Sequence, residues 1–368
     1  MNSTPMRLCA FFFKGFILWA WSALVCAAPL ALVGTCVEEQ VETELRKSGP
    51  YWKIGAYAFF DRNLSRDGSL SCADCHSQNY LYTNSQSLRD VTSGMAKRRA
   101  PTLLNLGKQR WFFWDGRASS LEEAVLHPLY GGNELNMNRE LLFERTRRDP
   151  FYELLFSEQV LNKWSGSSIT DAEASVEMAI AKSLASFLKT LVSCGRSEEA
   201  LPLNNDILKG EEIFRGKGGC ANCHFGSNFS DGQFHNVRVR PIREFINPDS
   251  GRYQVIKSLN ASGARLKLTQ EMWGAFKTPS LRNVGLRPPY MHQGQFSTLE
   301  EVVNFYSDFK GALPEDHHYA GLLKPLELSQ REKDQVVAFL KSLSDRFYTC
   351  TNTSMSGEIS IATCRLGD

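Results

Sequence analysis

The chain has 368 residues, enough for two domains of roughly 150 residues once an export segment is set aside. Lys and Arg number 42 against 40 Asp and Glu, a formal net charge of +2. That balance offers no electrostatic footprint for a polyanion, so nucleic acid is excluded as the expected partner.

The first 35 residues carry Arg7 and Lys14, then an apolar stretch from Gly15 to Val25, then the small residues Cys26, Ala27 and Ala28. This is the layout of a secretory signal, and export predicts a periplasmic location. The apolar run continues weakly to Gly34, so an uncleaved anchor is the alternative, and only that would bring a membrane contact; Pro29 counts against one straight spanning helix. No later stretch reaches the roughly 18 apolar residues needed to span a bilayer.

Next in chain order comes Cys72-Ala-Asp-Cys75-His76, and later Cys220-Ala-Asn-Cys223-His224. Both match C-x-x-C-H, the attachment site of a c-type haem. Two thiols add across the vinyl groups of the porphyrin, and the adjacent histidine reaches the iron. Two covalently bound haems c are therefore the expected cofactors. A zinc knuckle or redox dithiol accounts for the four cysteines but not for a histidine directly after each pair.

Helical patterns dominate the remainder, and alternating strand patterns are nearly absent. Thr170-x-x-Glu173 reads as a capping box before a helix over about 171–192, with Val176, Ile180, Leu184, Phe187, Leu188 and Leu191 on one face. Ser329-x-x-Glu332 opens a second, with Val336, Val337, Phe339, Leu340 and Leu343. The expected organisation is a 1–35 signal or anchor, a 36–196 haem domain, a 197–206 linker, a 207–349 haem domain and a 350–368 tail. Four cysteines remain outside signal and motifs: Cys36, Cys194, Cys350 and Cys364. An oxidising compartment suits two disulfides, with Cys350 and Cys364 as the local guess; buried thiols are the plainer alternative.

An internal repeat relates the halves. Pro101-Thr-Leu-Leu-Asn105 recurs as Pro279-Ser-Leu-Arg-Asn283, and Gly116 to Val125 recurs as Gly294 to Val303, both offset by 178 residues. Ser120-x-x-Glu123 and Thr298-x-x-Glu301 cap the same helix in each copy. Carried further, the offset sets Pro128 against Tyr306 and Trp114 against His292. Proline cannot bind a metal, whereas a tyrosine phenolate can. The repeat thus predicts one haem with an open position and one closed by Tyr306. A packed tyrosine with its hydroxyl hydrogen-bonded is the commoner fate of that residue, and Met272, Met291 and His292 are rival ligands.

On these motifs the chain resembles the bacterial di-haem cytochrome c peroxidase and MauG family, from Phe59 to Phe339. The resemblance rests on FFDRNLSRDGSLSCADCH, APTLLN, FWDGRASSLEE, GEEIFRGKGGCANCH and AFKTPSLRNVGLRPPYMHQG. It implies an all-α fold of two cytochrome c-like domains, with a peroxidatic haem at His76 and an electron-transfer haem at His224. It further implies Trp114 as a conduit between the haems, Glu134 as the acid–base group over the open haem, and Tyr306 at a position that holds methionine in the peroxidases and tyrosine in MauG. Without the resemblance, Glu134 reads as a solvated loop residue and Trp114 as a core aromatic.

Departures from the family pattern also carry expectations. No histidine lies between His76 and His127, so no loop histidine blocks the first haem. Ala124 replaces a usual glutamine and removes a distal hydrogen bond. Arg99 replaces an asparagine that helps hold calcium, and a guanidinium cannot ligate calcium, so calcium is expected to be absent. Gly218 replaces a surface tryptophan through which MauG oxidises its protein partner.

The resulting expectation is a periplasmic di-haem enzyme that uses hydrogen peroxide. Its oxidising equivalents go either to a protein side chain, MauG-like, or are filled by electrons from a small cytochrome or cupredoxin. A non-enzymatic electron carrier is the rival from another class, and it needs a second ligand near the first haem from Met95, His127 or Met137.

Overall fold

The computed structural model describes residues 47, 49–85, 98–157, 169–196, 204–242, 249–314, 323–351 and 363–366. The 1–35 segment, Cys36, Met95 and most of the 197–206 linker lie outside the described residues, as do the side chains of Cys194, Cys350 and Cys364.

Helix α1 (Tyr51–Phe60) buries Ile54, Ala56, Ala58 and Phe59 and ends at Asp61, whose carboxylate accepts from Asn63 N at 2.8 Å. The first CxxC forms the single turn α2 (Cys72–Cys75), where the Asp74 carboxylate accepts from both Ser71 N (2.7 Å) and Ser71 Oγ (2.8 Å). Helix α3 (Leu121–Tyr130) starts where Glu123 N donates to Ser120 Oγ, and α4 (Arg139–Thr146) where Leu141 N donates to Asn138 Oδ1. These caps satisfy amides that a helix start leaves without intrahelical partners. The first half closes with α5 (Ile169–Thr190) and the short strand β1 (Ser193–Arg196).

In the second half, α6 (Asn205–Arg215) is capped by Asn204. There follow β2 (Phe234–His235), α7 (Arg252–Ala261), β3 (Phe276–Lys277), α8 (Leu299–Asp308) and α9 (Gln330–Lys341). Strands β4 (Asp345–Thr351) and β5 (Thr363–Leu366) end the described chain. Among the described residues no helix is long and apolar enough to cross a membrane.

Each half is built on one close helix crossing. α1 packs on α5, and α6 on α9. A methyl group at Gly55 would collide with the Ser183 carbonyl, and one at Gly210 with the Gln335 carbonyl. Glycine is needed at both because the backbones themselves touch. Around the first crossing, the core runs from Ile54 and Phe59 through Leu142 and Tyr152 to Phe187 and Leu191; around the second, from Ile207 and Phe214 to Phe339 and Leu340.

Two sequence expectations change. Helix α5 already includes Ile169, so it begins before Thr170, the residue the sequence marked as its start. One cap is worth only about 1 kcal/mol, too little to set a helix start that a longer segment extends. Short strands are also present: β2 pairs with β3, and a three-stranded sheet has the order β1-β4-β5. Two-residue strands carry no readable alternation, and β1 with β4 is a pairing across the halves, Ser193 opposite Phe347. Strand β4 runs through residue 349, and its hairpin with β5 sets Cys350 directly opposite Cys364.

Candidate functional site

Both motif histidines arrive in the same state. His76 Nδ1 donates to Tyr82 O at 3.0 Å, and His224 Nδ1 donates to Phe229 O at 2.9 Å. Each acceptor residue has a left-handed backbone, φ 55° at Tyr82 and 46° at Phe229, which turns its carbonyl back to the ring. Burial lowers both imidazole pKa values. A neutral ring protonated at Nδ1 leaves the Nε2 lone pair free, the form a metal requires.

The four motif thiols are free, and burial pushes Cys72 up to about 12 and Cys220 up to about 11. They do not converge on a tetrahedral donor set. Among the described residues, the only grouping of three ligand types is Cys223, Asp231 and His235, in which His235 Nε2 lies 2.8 Å from Asp231 Oδ2. Two separate thiol pairs, each followed by a ligand-ready imidazole, fit haem c rather than zinc.

A cavity of about 1340 Å3, counting the space at its mouth, lies against the first motif. Cys72, His76, Leu106, Phe112, Leu121, Ala124 and Pro128 line it. So do Pro279, Leu281, Val284, Tyr290 and Met291, several of which are the first-half lining positions carried forward by 178 residues. The space therefore joins equivalent walls of the two halves.

A pseudo-symmetric exchange holds that junction. Arg99 N donates to His292 O at 2.7 Å, and Lys277 N donates to Trp114 O at 2.7 Å. Arg99 matches Lys277 in the repeat, and Trp114 matches His292. Trp114 and His292 meet edge to face with ring centroids 6.4 Å apart, and His292 stacks on Phe276 at 3.9 Å. Burial drives His292 down to about 3, so it stays neutral. The Trp114 indole N–H is fixed on Arg99 O at 2.8 Å. Arg98 ties the junction to both halves, reaching Asp115 at 2.5 Å and Asp249 through two bonds of 2.7 Å. Gly116 has φ +66° and touches Phe234 so closely that a side chain there would clash.

The matched helices differ at their last turns. In α3, Pro128 presents an apolar ring to the cavity and has no N–H for the Ala124 carbonyl. In α8, Tyr306 packs edge-on against Phe305 and Phe309 in a cluster that includes Met291. Burial first, and then the Cys220 and Cys223 sulfurs, push its phenol pKa up. Its hydroxyl makes no hydrogen bond among the described residues. Met291 packs in the same cluster, and His292 lies at the junction against Trp114 and Phe276.

Glu134 lies on a turn folded back on α3, where Leu135 N donates to Pro128 O and Met137 N to Leu129 O. The side chain is solvent-accessible, yet neighbouring protein removes enough water to raise its pKa, an effect Arg117 opposes. Its charge is felt by both Cys72 and Cys75, which places the carboxyl on the first motif's side. Met137 is buried in the core, and His127 is exposed and packs edge-on to Phe113. Neither lines the cavity.

Comparison with known proteins decides the family. A profile described as di-haem cytochrome c peroxidase matches residues 51–199. The methylamine utilization protein MauG of Methylorubrum extorquens is 35% identical over 299 residues, 79% of this chain and 77% of the relative. The chain belongs to the di-haem cytochrome c peroxidase and MauG family. Cytochrome-c peroxidase IdrP2 of Denitromonas iodatirespirans is 32% identical over 314 residues, 79% of this chain and 81% of the relative. The diheme peroxidase BthA of Burkholderia thailandensis shares the fold, with a TM-score of 0.64 and 22% identity over 80% of this chain and 86% of that one. The protein is thus an all-α, two-haem, peroxidase-like oxidoreductase, as its motifs led one to expect.

Sequence reasoning singled out the motif residues, Trp114, Glu134 and Tyr306. It missed the Arg98–Asp115–Asp249 tie and the cavity-facing Lys277 and Arg287. The 178-residue offset, applied to Arg99 and Gln109, points to the last two.

Proposed function

We propose that this chain is a periplasmic, MauG-like oxidoreductase with one haem c attached at Cys72 and Cys75 and a second at Cys220 and Cys223. The observation that carries the reading is the pairing of Pro128 with Tyr306 on matched helices behind two identically prepared histidines. Haem supplies an iron that exchanges electrons and, where a coordination position is open, reacts with hydrogen peroxide.

His76 and His224 would hold the two irons through Nε2. Pro128 offers no donor to the first haem, whereas Tyr306 would supply one to the second through its phenolate. Glu134 takes the proton from one peroxide oxygen and returns it to the departing one, a task its raised pKa suits. Trp114 connects the halves. Its N–H faces a backbone carbonyl, which cannot keep a proton, so electron exchange through the indole is not coupled to proton loss. The Arg99 guanidinium donates to the carbonyls of Asn84, Arg287, Pro288 and Pro289 at 2.5–3.2 Å and supplies a fixed positive charge where a calcium would otherwise sit.

Electron paramagnetic resonance of the ferric protein tests the asymmetry: one high-spin and one low-spin signal are expected, and Tyr306→Phe should alter only the low-spin one. Two low-spin signals would make the protein an electron carrier, and an unaltered low-spin signal in Y306F would remove Tyr306 as ligand.

Gly218 favours a second reading. It is buried, and a side chain there would press on the Ile213 carbonyl, so no surface indole can project from this position. That suits a cytochrome c peroxidase fed by a small cytochrome or cupredoxin. Peroxide turnover with a reduced small cytochrome, measured at its absorbance band, separates the two.

A further inference from the structure

Three cations line the cavity, and among the described residues none is paired with a carboxylate. Arg99 is lowered to about 10 by burial, Arg287 to about 10 by burial and then Arg99, and Lys277 to about 8 by burial alone. The neighbouring Arg98 has two aspartates, so the fold does supply counter-charges at this junction where it keeps them for itself. Burying cations without a partner is costly. Arg99 is buried and Lys277 and Arg287 are half-buried on the cavity wall, so an anionic group filling the space would supply their counter-charge.

Donor capacity narrows the assignment. Arg99 spends its Nε and both terminal nitrogens on carbonyls. Lys277 Nζ uses one of three protons, on Gln109 Oε1 at 2.6 Å. Arg287 donates from Nε to Asn283 O and from Nη2 to Ser280 O and Arg282 O, leaving Nη1 unused. The repeat relates these positions, since Arg99 matches Lys277 and Gln109 matches Arg287. They meet crosswise, Lys277 on Gln109 and Arg99 on the Arg287 carbonyl.

We propose that Lys277, with Gln109, and Arg287 hold the propionate carboxylates of the attached haems, and that Arg99 adds its charge behind them. The assignment rests on the haem reading above. Propionates are the anionic edge of a ring whose vinyl edge is fixed at the cysteines, so these contacts set each ring's orientation toward Trp114. The same charges act on the iron: a cation beside a haem disfavours the ferric state and raises the potential.

The test uses the purified holoprotein and Lys277→Gln, with Lys277→Arg as the conservative variant and exposed Lys267→Gln as a control for net charge. Haem content by pyridine haemochrome and folding by circular dichroism come first. K277Q should keep both haems, lower the midpoint potential of a haem in spectroelectrochemistry and shift the propionate bending band in resonance Raman. K277R should restore both readings, and K267Q should change neither. If K277Q loses haem, the apolar Lys277→Met carries the same comparison. Potentials in the Lys277 variant equal to those in K267Q overturn the proposal. A shift seen only with added phosphate assigns the cations to a free anion and overturns it too. Absence of haem from the wild-type chain would instead sink the haem reading.

Discussion

In the first half the last turn of α3 presents Pro128; in the second the matching turn of α8 presents Tyr306. Around them the frame is held constant: a glycine at the helix crossing, a left-handed asparagine at Asn105 and Asn283, and an Nδ1-bonded histidine. By the offset Trp114 matches His292, Arg99 matches Lys277, and Phe113 matches Met291 at equal backbone geometry, φ 65° and 69°. The lesson is that a duplicated fold diversifies at side chains around its two motifs, while backbone-bearing positions stay fixed because both copies need the same turns.

The strongest way to break the comparison is to empty one half. Replacing Cys72 and Cys75 by alanine should halve the haem per chain in the pyridine haemochrome assay and abolish reaction with peroxide. The corresponding change at Cys220 and Cys223 should also halve haem, yet leave the high-spin signal in place. Retention of two haems by either variant would refute attachment at that motif.

Next in size is Glu134→Gln. Loss of a positioned acid–base group costs on the order of 10²–10⁴-fold in rate. The pH profile adds the sign. Glu134 works as a base when ionised, so the wild-type rate should rise with pH through a carboxyl pKa above the usual range of about 4.3, and E134Q should lack that limb. Stopped-flow rates with hydrogen peroxide measure both. An unchanged limb would assign the proton transfer elsewhere.

Much of this asymmetry was legible because it is linear in sequence. The CxxCH motifs, the 178-residue offset and the caps at Ser120, Thr298 and Ser329 are all local, and the structure keeps them. Contacts between halves were not legible. The Arg98 tie to Asp249, the β1–β4 pairing and the crossed amides of Arg99 and Lys277 join residues over 150 positions apart, and no periodicity encodes them. Lys277 illustrates the difficulty. In sequence it is a lysine in a two-residue strand, and only the cavity shows that it lacks a counter-charge.

Stability tests probe the shared frame. Gly55→Ala and Gly210→Ala each drive a methyl into a facing carbonyl, so each should cost about 1–3 kcal/mol of overpacking. Equal losses in chemical denaturation are expected, since both crossings have the same geometry. A loss confined to one half would show that the second crossing relaxes where the first cannot.

The smallest effect is the finest comparison. Ser120→Ala and Thr298→Ala each remove a cap worth about 1 kcal/mol. The caps are not identical. Glu301 returns a reciprocal bond to Thr298 N at 3.3 Å as well as to Ser297 N at 2.6 Å, whereas Glu123 serves Ser119 N and Oγ. After S120A, the Glu123 carboxylate still holds Ser119 through both bonds, so only one amide is released. After T298A, loss of the hydroxyl frees Glu301 N and slackens a closed two-bond ring. T298A should therefore lower the melting temperature slightly more than S120A, and it should also broaden the low-spin signal, because the helix it frays is the one that carries Tyr306.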